Sequence, residues 1–324
     1  MQPVVLVTGG AGYIGSHTCK ALHGAGYAPV SYDDLERGHV SAVQWGPLQV
    51  GSLQDQATLR RAFETYRPIA VLHFAALAYV GESMQEPGRY YTNNVGGTLA
   101  LLEAMRDHGV DQFVFSSTCA TFGVPAAGRI GDDDDQHPIN PYGSSKLMVE
   151  RILRDYETVH GLRSVVLRYF NAAGADPDVD IGERHEPETH LLPLVLAAAA
   201  GHLEHVEVFG DDYPTPDGTC VRDYVHVSDL ADAHVRALEH LRAGGASLAC
   251  NLGTGVGASV LEVIDQVERT TGRSVARCVR ARREGDPPEL VAAVERARRD
   301  LGWNPSRSDL ATIVEDAWRW YRSG

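Results

Sequence analysis

Val4-Val5-Leu6-Val7-Thr8-Gly9-Gly10-Ala11-Gly12-Tyr13-Ile14-Gly15 is the stretch on which the fold turns. Val4 to Val7 is apolar and mostly β-branched, the pattern of a strand covered on both faces. Glycines at 9, 12 and 15 follow at once, and Ser16 to Leu22 reads as a helix. A strand, a glycine turn and a helix in that order present backbone amides, Tyr13 and Ile14 among them, at a helix amino end. A pyrophosphate can approach them closely there. The spacing is GxxGxxG rather than the usual GxGxxG, so a plain glycine-rich turn stays open on this evidence alone. A second apolar strand, Ala28 to Tyr32, ends in Asp33. An acid about twenty positions beyond the glycines is placed to accept from the adenosine ribose hydroxyls of a dinucleotide. Asp33 and Asp34, with no basic residue before Arg37, favour NAD over NADP, because they would repel a 2′-phosphate.

The alternation continues. Strands are expected at 48–50, 70–74, 112–116 and 164–168, and helices at 54–65, 88–107 and 143–159. This predicts an α/β fold with a doubly wound parallel Rossmann-type sheet and right-handed crossovers. After Asn171 the character changes. A loop rich in Asp, Glu, Gly and Pro (175–187) leads to a helix at 190–200, a strand at 206–209 and a turn-rich stretch (211–218). A helix at 228–243, a strand at 247–252 and helices near 259–271, 292–300 and 308–322 complete the chain. The expected division is a nucleotide domain over 1–172, with contributions from 219–255, and a smaller mixed α/β substrate lobe over 173–324.

A chain of 324 residues has room for both lobes. The net charge of −14 argues against a nucleic-acid surface. No apolar run approaches the length of a membrane span, and no charged-then-apolar leader precedes Val4. Cysteines 19, 119, 220, 250 and 278 form no CxxC pair, so free thiols in a reducing cytoplasm are expected. The acidic run Asp132 to Asp135 reads as a solvated loop.

Tyr142 and Lys146, in Pro141-Tyr142-Gly143-Ser144-Ser145-Lys146, fall four apart at the start of a helix and so on one face. A phenol with a pKa of about 10 is almost un-ionised at neutral pH. A cation held beside it would lower that value and let it move protons near pH 7. On spacing alone the pair could equally be two surface residues. His185-Glu186-Pro187-Glu188-Thr189-His190 is close to the zinc motif HExxH. Its histidines are five apart and Pro187 interrupts them, so they would not share a helix face; no metal is expected.

Further motifs extend the picture: HFAA (73–76) with VGES (80–83), NNVGGT (93–98), FSST (115–118), LRYFNAAGA (167–175), DGTCVRDYVHVSDLADAHV (217–235), NLGTGVG (251–257) and RREGD (282–286). Taken in this order with the glycine turn and PYGSSKLMVE (141–150), they resemble the extended short-chain dehydrogenase/reductases, and among them the branch that epimerises UDP-sugars at C4. The resemblance covers nearly the whole chain. It implies tightly bound NAD, a UDP-sugar substrate (UDP-glucose and UDP-galactose) and a homodimer built through helices 88–107 and 143–159. Tyr142 would take the proton from the sugar 4-hydroxyl while hydride passes from C4 to NAD, leaving a 4-keto sugar that turns and is reduced on its other face. Lys146 would hold the nicotinamide ribose and Thr118 the sugar 4-oxygen. Cofactor contacts are implied for Gly9, Gly12, Tyr13, Ile14, Gly15, Asp33, Ser52, Phe74, Ala75, Asn94, Ser116 and Tyr169. Substrate contacts are implied for Asn171, His190, Leu191, Phe209, Arg222, Arg283, Asp286 and Leu290; Arg222 and Arg283 would fork onto the diphosphate.

Related dehydratases carry an Asp-Glu pair directly after the strand-end Thr, and related decarboxylases keep a carboxylate at the second position. Here these positions are Cys119 and Ala120, which favours hydride movement without elimination. Other departures are Thr118 for Ser, Phe122 for Tyr, Ser52 for an adenine-binding Asp, Ala78 for Lys and His190 for Asn. Leu290 stands where some members have a bulky Tyr beside the sugar 2-substituent. N-acetylated hexosamines or pentoses as the UDP-linked sugar, and a non-catalytic NAD-binding regulator, are the other readings.

Overall fold

The computed structural model describes residues 2–125, 128–283 and 286–323. β1 (Val4–Thr8) passes through the glycine turn into α1 (Tyr13–Gly24). β2 (Ala28–Asp33), β3 (Leu48–Val50), α2 (Gln56–Tyr66) and β4 (Ala70–His73) follow, then the short helices α3 (Val80–Gln85) and α4 (Pro87–Tyr90). A π-helical turn (Tyr91–Gly96) runs directly into α5 (Gly97–Asp107). β5 (Gln112–Thr118), α6 (Pro141–His160) and β6 (Arg163–Tyr169) complete the first half. The second half contains β7 (Asn171–Ala173), α7 (Leu191–Ala200), β8 (Val206–Phe209), β9 (Val221–His226), α8 (Val227–Arg242) and β10 (Leu248–Leu252). It ends with β11 (Gly257–Ser259), α9 (Val260–Thr271), β12 (Arg277–Arg280), β13 (Glu289–Leu290), α10 (Glu295–Leu301) and α11 (Leu310–Ser323).

Seven parallel strands form the central sheet in the order β10-β6-β5-β4-β1-β2-β3. The order reverses at β1, the switch point where open α/β sheets bind ligands beyond their strand carboxyl ends. Register brings those ends level: Thr8 pairs with Tyr32 and His73, His73 with Phe115, and Thr118 with Tyr169. Two apolar cores sandwich the sheet, as the unbroken apolar runs of its strands require. One includes Val5, Val7, Leu72 and Leu167 beneath α1 and α8; the other includes Leu6, Val71, Phe113 and Phe115 beneath α2, α5 and α6. A third core joins α7, α9 and α11 to β8 and β9. Beside it β9 carries a small sheet with β7, β11 and β13. α10 returns to the main sheet, burying Ala297 and Leu301 near β10 and α8.

Local sequence explains most element ends. Asp55 caps α2 by accepting from Ala57 and Thr58 amides, and Ser259 with Glu262 forms a capping box on α9. Gly161 ends α6 in the left-handed conformation. Three expectations need correction. The helix expected over 88–107 is α4, the π-turn and α5, because the Asn94 side chain inside it is tied to neighbouring elements. The helix expected from 292 starts at Glu295, because Ile130 bonds on both sides of Ala292, to the Val291 carbonyl and the Ala293 amide, and holds that stretch extended. Asp132 is not a solvated loop residue. It accepts from the Asn251 amide at 2.6 Å and lies 3.8 Å from Arg296, while Asp133 to Asp135 are exposed.

Candidate active site

The glycine turn is shaped by contact as much as by freedom. Gly9 has φ +74°, and a Cβ there would stand 2.7 Å from the Ala75 amide nitrogen; one at Gly15 would stand 2.1 Å from the Gly9 carbonyl oxygen. The turn therefore packs directly on α1 and on the segment after β4, where Phe74 and Ala75 amides both donate to Thr8. Gly12 is the amino-terminal cap of α1, with no side chain closing the helix end. Such an end attracts anions. Across it, the buried Asp33 accepts from the Ala11 amide at 3.0 Å and the Leu35 amide at 2.9 Å, and burial raises its pKa. Ser52 lies one residue beyond Gly51, whose amide donates to the Asp33 carbonyl. A free helix end, a glycine turn too tight for a Cβ at position 9 or 15 and a strand-end carboxylate fit NAD as the sequence expects.

The reacting end lies past β5 and β6. Pro141 opens α6, and Asn140 caps it by accepting from the Gly143 amide at 2.8 Å. A Cβ on Gly143 would meet the Ala120 carbonyl oxygen at 2.4 Å. The first turn of α6 thus lies against the turn after Thr118, which brings the Tyr142 phenol beside the Thr118 hydroxyl. Tyr142 is half-buried, and desolvation of its phenol raises its pKa to about 12, with the Thr118 hydroxyl opposing. This corrects the expectation of a lowered phenol. Lys146 shares the helix face, but its Nζ donates to the Ser116 carbonyl at 2.8 Å and lies 4.9 Å above the Phe115 ring. Burial lowers the lysine to about 7, with Glu150 opposing. Ser116 and Tyr169 hydrogen-bond to each other through their hydroxyls.

Asn94 is brought to this end of the sheet, but both hydrogens of its amide group are used. It donates to the Leu77 carbonyl and the Ser145 hydroxyl, each at 3.0 Å, and accepts from the Leu77 amide. It binds the loop after β4 to α6.

On the substrate side, β9 places Arg222 opposite Leu290 of β13 and Tyr224 opposite Asn171 of β7. Arg222 pairs with Asp286, and Arg283 stacks 4.0 Å above Phe209. Leu290 packs with Cys119 against Phe122 and Phe170, one residue from Thr118. His190 faces Glu183 and Glu188, and Leu191 begins α7.

Several supporting residues escaped the sequence reading. Glu150, buried one turn after Lys146, receives Arg168 at 2.7 Å and the Ser117 hydroxyl at 2.6 Å. Asp223, wholly buried beside Arg222, accepts from the Thr254, Gly255 and Ala292 amides and so fixes the loop after β10 to β13. The only sequence signal for either was a charge within an apolar stretch.

A Rossmann-type sheet with an open glycine turn, a strand-end aspartate and a Tyr-x-x-x-Lys helix beside a strand-end hydroxyl defines a nicotinamide-dependent enzyme of the short-chain dehydrogenase/reductase type. Comparison with known proteins narrows this: the chain belongs to the NAD-dependent epimerase/dehydratase family, whose model matches residues 5–253. It is 54% identical over 317 residues to a UDP-glucose 4-epimerase of Rhizobium meliloti (strain 1021), covering 98% of this chain and 96% of the relative. It is similar to the crystal structure of UDP-glucose 4-epimerase from Brucella ovis in complex with NAD, at 56% identity and a TM-score of 0.96, with 98% of each chain covered. The UDP-glucose 4-epimerase from Stenotrophomonas maltophila with bound NAD and formylated UDP-arabinopyranose matches at 42% identity and a TM-score of 0.96, covering 99% of this chain and 98% of that one.

Proposed function

We infer that this chain interconverts UDP-glucose and UDP-galactose by inverting C4. The observation that carries the reading is the composition of the reacting end. Tyr142 and Thr118 stand together, and the next two residues, Cys119 and Ala120, offer neither a carboxylate nor an accessible base. Desolvation raises the Cys119 thiol to about 11, so it stays protonated. Elimination of water needs a second acid and base; inversion at one carbon needs a single group that takes and returns one proton.

NAD, when bound at the glycine turn, would supply a reversible two-electron acceptor for the sugar carbon. The chain's own residues would do the rest. Gly9 and Gly15 let the turn close tightly on α1 and on the segment after β4, which leaves the helix end at Gly12 open for the phosphates, and Asp33 would hold the adenosine ribose. Tyr142 would exchange its proton with the sugar 4-hydroxyl, and Thr118 would orient that oxygen. Because the phenol holds its proton at neutral pH, accepting one requires positive charge to come nearer. Lys146, one helical turn along and itself exchanging protons near pH 7, is the chain's own source. Arg222 and Arg283 would neutralise the diphosphate, with Asp286 and Phe209 serving the nucleoside.

Leu290 supports a wider sugar range, since it sits beside Cys119 and Arg222 with less bulk than a tyrosine. A homodimer through α5 and α6 would cover the exposed apolar Leu99 and Met148; sedimentation would report twice the chain mass. All five cysteines are free thiols and no helix among the described residues is long and apolar enough to cross a membrane, which supports a cytoplasmic location. The test is an assay of purified protein, without added reductant, on a panel of UDP-hexoses, UDP-pentoses and UDP-N-acetylhexosamines. The reading predicts UDP-galactose from UDP-glucose with no net NADH release. Absence of any C4 inversion across the panel would overturn it.

A further inference from the structure

Two clusters of potential metal ligands occur among the described residues, and they differ in what fills them. Asp176, Asp178 and Asp180 close around the Lys20 ammonium at 2.7, 2.8 and 2.9 Å, which leaves no place for an ion. Glu183, His185, Glu188 and His190 also bring one ligand atom each within 4.8 Å of one another. Here no Lys or Arg pairs with either carboxylate among the described residues, although the Glu183 side chain is only 7% exposed and that of Glu188 20%. Two carboxylates this close and this buried require a positive partner.

The four side chains meet in pairs, with Glu188 using both of its oxygens. His185 Nδ1 lies 3.2 Å from Glu183 Oε1 and 3.4 Å from Glu188 Oε2; His190 Nδ1 lies 3.0 Å from Glu183 Oε1 and 2.9 Å from Glu188 Oε1. Ligands on a tetrahedral ion with bonds of about 2.0–2.2 Å stand roughly 3.3–3.6 Å apart, so the pairs at 2.9, 3.0 and 3.2 Å would open slightly to admit one. His185 Nδ1 is buried and makes no well-directed hydrogen bond despite its two close carboxylates. His190 Nδ1, by contrast, hydrogen-bonds to Glu188 Oε1 at 2.9 Å, a contact that an ion would replace. Two neutral imidazoles and two carboxylates carry −2, matched by one divalent cation. The objection from sequence, that histidines five apart cannot share a helix face, does not apply, because 183–190 is not helical.

We propose that Glu183, His185, Glu188 and His190 form a four-coordinate site for a divalent cation of the zinc class, which pins the loop before α7 against the cofactor end of the nucleotide domain. All four coordination positions come from protein, the pattern of a structural rather than catalytic ion. The loop already touches that domain around the site. The His185 ring lies 6.2 Å from both Tyr13 of the glycine turn and Tyr79, and Arg37 stacks on Tyr79 while donating to the Glu186 carbonyl. A cation would join these contacts into one rigid unit and make loop closure depend on metal. The site is independent of which sugar the enzyme turns over.

The test uses full-length protein freed of any histidine tag, stripped with EDTA, then exposed to zinc chloride alone and gel-filtered. The expected result is about one zinc retained per chain, with a melting temperature several degrees higher than in the stripped protein. His185→Ala/His190→Ala should retain less than a tenth as much and show no zinc-dependent shift. His202→Ala, at an exposed histidine bonded only to Tyr321, should retain zinc like the parent. His190→Gln should weaken retention at least tenfold, and it serves if the double variant does not fold. Failure of the parent protein to retain zinc or to shift its melting temperature would overturn the proposal, leaving two protonated imidazoles as the partners of the carboxylates. Equal retention by the parent and the double variant would also overturn it.

Discussion

At the scale of single residues the decisive group is Tyr142, whose phenol is held in its protonated form by desolvation while Lys146 turns its ammonium to the Ser116 carbonyl. Spacing put the two on one helix face, and that was right. It could not say whether they touch, because a shared face fixes directions and not the side-chain torsions that bring Nζ to the phenol oxygen. Tyr142→Phe should keep NAD and UDP binding, measured by equilibrium dialysis, and lose about 10²- to 10⁴-fold in kcat, the usual worth of a positioned acid–base. Unimpaired turnover would remove Tyr142 from the mechanism. Leu290 sets a second residue-scale prediction. UDP-N-acetylglucosamine should be epimerised by the parent, and Leu290→Tyr should reduce that turnover at least tenfold relative to UDP-glucose. If the parent never turns over the N-acetylated sugar and Leu290→Tyr changes neither rate, Leu290 does not set the sugar range.

At the scale of elements the site depends on how α6 meets β5. The Gly143 contact with the Ala120 carbonyl fixes the height of the helix against the strand end. Gly143→Ala should cost about 1–3 kcal/mol by overpacking and lower kcat while the fold persists, read by chemical denaturation beside the assay. Below it, the Glu150–Arg168 pair joins α6 to β6. Glu150→Ala leaves a buried guanidinium unmatched and should cost about 3–5 kcal/mol; a loss under 1 kcal/mol would show that water reaches Arg168. These elements divide by how visible they were in the sequence. β1, β2 and β4 to β6 were legible because two-sided burial demands unbroken apolar runs. α6 was legible through Pro141 and its apolar spacing. β7, β9, β11 and β13 were not, since the sheet they form is made of segments too short to show a period and is stabilised by pairing between distant parts of the chain. The π-turn at 91–96 was hidden for a similar reason: the bonds from Asn94 to Leu77 and Ser145 that hold it span 17 and 51 positions. The Glu183–His190 cluster was hidden because the motif was tested only against a helix face, whereas a loop brings its side chains together.

At the scale of the whole molecule, the sheet order explains why one edge collects the chemistry. The carboxyl ends of β1, β2, β4, β5 and β6 lie level across the switch point, so Gly9, Asp33, Phe74, Thr118 and Tyr169 are neighbours in space though distant in sequence. The cores beneath them bury His17, His73 and His234, whose pKa values desolvation lowers to about 3, 3 and 4. A histidine depressed in the folded chain leaves the unfolded chain binding more protons, so stability rises with pH across the gap between the two values. This contribution is complete above the unfolded value of about 6.5 and is lost as pH falls below it. The melting temperature should therefore decline from pH 7 to pH 5, and His73→Gln should flatten that decline; a flat profile in the parent would contradict it. The account as a whole rests on one claim, that C4 is inverted with its hydrogen removed and restored at the same carbon. UDP-glucose carrying deuterium at C4, incubated with the purified protein in ordinary water, tests it most directly by NMR. UDP-galactose that keeps the deuterium at C4 is the predicted product. UDP-galactose that has exchanged it for solvent hydrogen, or a dehydrated sugar in its place, would contradict the account.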